Sequence, residues 1–360
     1  MNRLEYLLNQ KQSHGRRIFG VFPAQYPKEI LWAHNILPAE IWDPPPADEA
    51  ARIHLQPYIC SVVHRGLELL LSGKADFLDG LLFPHTCDSI QNTASMVNDY
   101  LDLNIPCRFF QHPKAPYRDS SRKYYLAQLK NLDSVLTQEF GPPPKGELEK
   151  RVEQGRVISD LLREIYGLRE TGQLGLSNLD FYEHVRRGEY MWPDDYLLEL
   201  ESLLAGKQEV GEPGRTGLVL SGVLPGPAGL LELLDHLGVE IVGDDLLSCS
   251  RRFLSQPRYR INHPLPSLAQ DYFSLPPCTT KGSPLSERLD YLTDLVRAGR
   301  ARGIIFNVVK FCEPELFDLP NLRAGLRERK IDSLVVETEV REPLSGALAT
   351  RVEAFLEMLG

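Results

Sequence analysis

Apolar positions in the first hundred residues fall in short runs separated by stretches of helical periodicity. RIFGVF (17–22) has the length of one buried strand, and YPKEILWAHNIL (26–37) has the 3.6-residue period of a helix with Pro27 in its first turn. AEIW (39–42) predicts a second strand, closed by Pro44, Pro45 and Pro46. Beyond an exposed acidic loop, Ala47 to Ala51, Ser61 is placed to cap a helix bearing Leu67, Leu70 and Leu71 that stops at Gly73. FLDGLLF (77–83) reads as a strand, Thr86 or Asp88 as the start of the next helix, and IPCRFF (105–110) as another short strand.

From Asp119 the pattern changes to long, charged, amphipathic helices, 121–140 and 145–170, parted by the breaker GPPPKG (141–146). The polar break QEVGEPGRTG (208–217) predicts a domain boundary. A second alternation follows, with strands at 217–222, 239–245, 303–309 and 333–338 and helices at 227–238, 286–303, 319–330 and 348–359. Strand and helix alternating at these intervals predict parallel α/β sheets. The expected fold class is α/β: two Rossmann-like parallel-sheet halves, 1–118 and 211–360, with a helical insert at 119–210.

Composition changes this picture little. With 360 residues, 42% hydrophobic and 25% charged, the chain is long enough for two domains with their own cores. A net charge of −9 argues against a nucleic-acid partner and matches an anionic membrane surface poorly. No stretch has the apolar length of a signal peptide core or a membrane span, so a cytoplasmic location is expected.

The six cysteines, at 60, 87, 107, 249, 278 and 312, form no CxxC pair or zinc-finger spacing and in the cytoplasm are expected as thiols or ligands. Cys87 and Cys312 each follow an apolar strand and precede an acid, Asp88 and Glu313; Cys60 opens a helix. The C-terminal edge of a parallel sheet is where such folds place ligands, and helix N-termini favour the thiolate. Three thiolates brought together between the halves would suit a soft metal or an iron–sulfur cluster with one coordination position open. The plain alternative is packing, since free cysteine is usually a small buried hydrophobe. Cys107 fits that reading, Cys278 is an unexplained loop thiol, and Cys249 fits either. GVLPGPAG (222–229), followed by a helix, a strand and Asp244–Asp245, imitates a dinucleotide fingerprint. It lacks GxGxxG spacing, so NAD is not expected, although an anion such as part of CoA could sit on that helix N-terminus; Asp244 and Asp245 otherwise read as a strand-end turn.

Several segments together resemble the family of 2-hydroxyacyl-CoA dehydratase and benzoyl-CoA reductase subunits, of the smaller-subunit type. They are GVFPAQYPKEILWAHNILPAEIW, PYICSVVHRGLELLLSGKADFLDGLLFPHTCDSIQ, GVEIVGDDLLSCSRRF, NVVKFCEPELFDLPNLRAGLRERKIDSLVVETEV and TRVEAFLEML. The pairing of C-x26-C with the late KFCEPE is the most specific part. The resemblance implies a [4Fe–4S] cluster held between the halves by Cys60, Cys87 and Cys312. It also implies a paralogous iron–sulfur partner subunit, a separate ATP-hydrolysing activator that delivers single electrons, and a CoA-thioester substrate. The implied chemistry is ketyl-radical dehydration of a 2-hydroxyacyl-CoA or reduction of an aromatic ring as in benzoyl-CoA reductase; the alternatives are an electron-relay subunit without its own substrate site, or a zinc-binding or metal-free α/β protein with buried thiols. Some members carry a further cysteine where this chain has Phe22-Pro23-Ala24, and the extra cysteines of double-cluster members are missing, so a single cluster is implied. Tyr58, Ser61, His85, Thr86 and Lys310 are candidates to surround the cluster, His85 as an acid or electrostatic partner; capping by Ser61 and Thr86, a backbone bond from His85 and a solvated Lys310 are the ordinary alternatives.

Overall fold

The computed structural model describes residues 1–23, 25–46, 49–101, 103–206, 215–253 and 263–360. They form two compact units, one of Met1–Asp160, Arg187–Leu200 and Ser255–Leu275, the other of Leu161–Arg186, Glu201–Leu254 and Pro276–Gly360. Most of the boundary expected at 208–217 lies outside the described residues, as do Ala24 and part of the loop expected at 47–51.

The first unit opens with α1 (Arg3–His14), whose N-terminus is closed by a capping box between Asn2 and Glu5. Then come β1 (Arg17–Val21), α2 (Lys28–Ala33), β2 (Ile36–Glu40), α3 (Ser61–Leu71), β3 (Gly80–Pro84), α4 (Asp88–Asp99) and β4 (Cys107–Phe110). The strands pair in parallel in the order β2-β1-β3-β4. Helix α2 is shorter, and β2 starts earlier, than the apolar run suggests. Asn35 at φ 56° breaks the helix, and β2 pairs on one side only, so Pro38 costs the sheet no ladder bond.

Helices α5 (Asp119–Phe140), α6 (Glu147–Glu170), α7 (Asn178–Arg187) and α8 (Pro193–Ala205) follow. Tyr125, Leu129, Leu132 and Leu136 make a four-three-four stripe on α5 that packs on Phe19, Val21, Leu82 and Phe110 of the first sheet.

The second unit contains β5 (Thr216–Gly222), α9 (Ala228–His236) and β6 (Val239–Leu246), and after α10 (Pro264–Ser274), whose Leu268 and Tyr272 join the first core, come α11 (Leu285–Ala298), β7 (Gly303–Val309), α12 (Glu313–Glu328), β8 (Asp332–Thr338) and α13 (Gly346–Leu359). Its order, β6-β5-β7-β8, repeats that of the first sheet. Val219, Ile304, Phe306 and Val308 pack against Leu292 and Val296 of α11 and Leu322 and Leu326 of α12. Among the described residues no helix is long and apolar enough to cross a membrane.

Asp244 and Asp245 correct the reading of a strand-end turn. Both lie within β6 and are buried. Asp244 accepts hydrogen bonds from the Tyr166 and Tyr182 hydroxyls at 2.7 and 3.1 Å, and Asp245 accepts from Ser221 at 2.8 Å and pairs with Arg251. Their oxygens are therefore engaged by the fold, unlike the acid that reads a ribose in a dinucleotide site.

Candidate functional site

The third strand of each sheet leads to a cysteine. In the first unit β3 ends at Pro84, and His85 and Thr86 carry the chain to Cys87, the N-cap of α4. Cys60 is the N-cap of α3. These are the cap positions expected of Ser61 and Thr86: Ser61 is instead the first helical residue, and the buried Thr86 hydroxyl lies 3.2 Å from the carbonyls of Pro23 and Pro84. The hydroxyl donates upstream, and Cys87 takes the cap position.

The seat of α3 explains where Cys60 sits. Val62, Val63, Leu67 and Leu70 are buried along the helix, and α3 and α4 pack on each other. Gly66 lets α3 approach β1: a Cβ there would fall 2.6 Å from the Phe22 ring, which is itself stacked on Phe83 with centroids 4.7 Å apart.

Cys60 is buried and Cys87 partly buried, and desolvation is the largest influence on both thiols. It pushes Cys60 up to about 11, opposed by the N–H groups of Val63 and Val62, while a charge on Cys87 pushes the same way as burial. Cys87 is also raised by burial, opposed by the N–H groups of Ile90 and Ser89 and by Lys114, with Asp88 acting in the other direction. Each sulfur thus faces the donor end of its own helix, and the two are close enough to feel one another's charge. Such a pair is protonated at neutral pH when empty and loses protons to a soft metal.

In the second unit β7 leads through Lys310 and Phe311 to Cys312, the N-cap of α12. Phe311 is held at φ 62°, a conformation bulky residues rarely adopt, and the Cys312 N–H donates to Val309 O at 2.8 Å. The first turn of α12 is anchored from below. Glu315 accepts from Arg251 at 2.7 Å and pairs with Arg288 at 3.3 Å, Arg288 also reaches Asp318 at 2.8 Å, and the Thr279 hydroxyl donates to Pro314 O at 2.8 Å. Burial alone would raise the Glu315 pKa, yet Arg251 and Arg288 hold it down at about 2. Arg251 also lies 3.8 Å from the Cys278 sulfur, which is 3.0 Å from the Thr280 hydroxyl. The loop thiol Cys278 is therefore wholly buried, as is Cys249, while Cys107 is half-buried in the edge strand β4.

Of the residues expected around the cysteines, His85 is near Cys87 in the chain, its pKa lowered by burial and then by Lys114, so its imidazole is neutral at pH 7. Tyr58 is exposed, and Lys310 pairs with Glu339 at 3.1 Å. Sequence reasoning missed three residues at the same edge of the first sheet. Lys114 Nζ donates to the carbonyls of Thr86 at 2.9 Å and His85 at 3.4 Å. His112, with its ring 6.4 Å from that of His85, shares a 2.9 Å hydrogen bond with Tyr272. The Tyr272 hydroxyl also lies 3.0 Å from Pro113 O. A carbonyl only accepts, so Tyr272 donates to Pro113 and accepts from His112 Nδ1–H. The available signal was position: Gln111-His112-Pro113-Lys114 follows β4 as Cys87 follows β3.

Among the described residues no three His, Cys, Asp or Glu side chains gather as a metal site. Cys60 and Cys87 belong to the first unit and Cys312 to the second. The donor set fits an iron–sulfur group chemically, being thiols at helix N-caps with backbone N–H groups turned toward the two sulfurs of the first unit.

A family model described as 2-hydroxyglutaryl-CoA dehydratase, D-component, matches residues 23–359. The (R)-phenyllactyl-CoA dehydratase beta subunit of Clostridium sporogenes is 24% identical, over 99% of this chain and 96% of that protein. A benzoyl-CoA reductase subunit of Thauera aromatica is 27% identical over 88% and 84%. The beta subunit of (R)-2-hydroxyglutaryl-CoA dehydratase from Acidaminococcus fermentans is 22% identical over 98% and 95%. These relatives are named as subunits of lyases and of an oxidoreductase.

Proposed function

The chain belongs to the 2-hydroxyglutaryl-CoA dehydratase D-component family of enzyme subunits, and from that premise we propose that it is the [4Fe–4S] subunit of an activator-driven CoA-thioester dehydratase or reductase. Cys60, Cys87 and Cys312 are the proposed ligands. The observation that carries this reading is the Cys60–Cys87 pair at two helix N-caps, with Cys312 at the matching strand end of the second sheet. When bound, such a cluster supplies a low-potential electron for a thioester, in loss of water from a 2-hydroxyacyl group or in reduction of an aromatic ring.

The chain's own residues act on charge, water and protons. The N–H groups of Val62, Val63, Ser89 and Ile90 favour thiolates on Cys60 and Cys87. Burial of Cys60 excludes water, which strengthens every charge–dipole term at that sulfur. A neutral His85 offers an N–H without adding a full positive charge.

Each of these relatives is named as one subunit of a larger enzyme, which supports a paralogous partner for this chain; a separate ATP-hydrolysing activator and a cytoplasmic location complete the proposal. The test is an EPR spectrum of the anaerobically purified complex, reduced by its activator, before and after a CoA thioester is added. A substrate-dependent change in the cluster signal is expected. An unchanged signal would assign the chain an electron-relay role, and an iron-free chain would overturn the reading.

A further inference from the structure

Lys114 and Asp88 place opposite charges about Cys87. Asp88 is the first residue of α4, directly after the cysteine, and its carboxylate disfavours a charge on that sulfur. Lys114, exposed and beyond the end of β4, points its ammonium back to the carbonyls of Thr86 at 2.9 Å and His85 at 3.4 Å. Those are the last two carbonyls before Cys87, so a flexible side chain is tethered at two points and its charge is fixed beside the sulfur. A lysine with no place to hold would leave its head in water, where a Debye length of about 8 Å at physiological salt screens it.

We propose that Lys114 is a positioning residue that holds a positive charge beside Cys87 and thereby raises the reduction potential of the group bound there, with Asp88 acting in the opposite sense; this rests on the cluster reading above. Reduction adds negative charge, and a fixed cation nearby stabilises the reduced form. The favourable effect of Lys114 on the Cys87 thiolate has the same electrostatic origin.

The experiment is an EPR-monitored redox titration of the anaerobically purified full chain, with iron measured in each sample. Lys114→Met is expected to move the midpoint potential to more negative values, Lys114→Arg to stay near wild type, and Asp88→Asn to move it to more positive values. The Lys114→Met shift is also expected to shrink at high salt. A role in loop structure alone would not give shifts of opposite sign from the two charges. Iron-loaded Lys114→Met with an unshifted potential, or Lys114→Arg shifting as far as Lys114→Met, overturns the proposal. If Lys114→Met loses its iron, Asp88→Asn decides alone, and no positive shift there overturns it. A wild-type chain without iron overturns the cluster reading and this inference together, and the iron assay tells that failure from the others.

Discussion

The two units solve one topological problem with different chemistry. Each sheet has the same order, and each third strand delivers a cysteine to the cap of the following helix, Cys87 after β3 and Cys312 after β7. The helix before that strand differs. In the first unit it begins at Cys60, whose buried thiol feels the charge of Cys87; in the second it begins after Pro284, and the preceding Cys278 lies against Arg251. The first unit therefore sets two thiols at helix N-caps, Cys60 buried and Cys87 partly buried beside Lys114 and Asp88. The other offers a single thiol on a turn pinned by buried ions. Burial sets the chemistry of the pair, while Coulomb attraction holds the turn that carries Cys312.

The largest predicted effect breaks the second arrangement. Arg251→Met leaves Glu315 and Asp245 with one cation, Arg288, in place of two, and should destabilise the second unit by about 3–5 kcal/mol, read by chemical denaturation. A variant within about 1 kcal/mol of wild type would show that the network is not what holds the Cys312 turn.

One group in each unit should give it a distinct pH response. Cys60 has its folded pKa raised from 9.0 to about 11, so its contribution is complete below pH 9 and is lost as pH rises toward about 11, amounting to roughly 3 kcal/mol in the metal-free chain. Glu315 has its pKa lowered from 4.5 to about 2, so its contribution is complete above pH 4.5 and is lost as pH falls toward about 2. All three tryptophans, Trp32, Trp42 and Trp192, lie in the first unit. Circular dichroism should therefore move before tryptophan fluorescence in acid. Cys60→Ala should reduce the alkaline sensitivity of the metal-free chain without abolishing it, because burial also pushes Cys107 of the same unit up to about 11.

A smaller contrast concerns glycine. At Gly222, with φ 153°, a Cβ would meet the Asn307 carbonyl oxygen at 2.2 Å, whereas at Gly66 it would meet a ring edge at 2.6 Å. Backbone yields less than a side chain, so Gly222→Ala should cost about 2–3 kcal/mol and Gly66→Ala about 1, measured as differences in unfolding free energy. Smallest of all, Cys107→Ser in the edge strand should change stability by less than about 0.5 kcal/mol and leave iron content unchanged.

Much of this plan was legible in the residues. β5 and β7 stand out as apolar runs because they are interior strands buried on both faces, and the strand-to-cysteine step could be read twice from the chain. Helix starts were off by one at Ser61 because serine is the commoner cap, while here the cysteine takes that position and serine begins the helix. The anchors of Cys312 were not legible. Arg251, Arg288 and Glu315 are far apart in sequence, and charged residues read singly look like surface. Lys114 was hidden for the same reason, and Lys310, close in sequence to the Cys312 turn, is paired elsewhere with Glu339.

The proposal to be tested first is that Cys60, Cys87 and Cys312 serve an iron–sulfur cluster. Iron and sulfide per chain, measured on anaerobically purified wild type and on Cys60→Ser, Cys87→Ser and Cys312→Ser, test it most directly. About four irons in the wild type, lost or sharply reduced in all three variants, is the predicted result. Colourless wild-type protein with zinc or no metal, or full iron retained by Cys312→Ser, would contradict it.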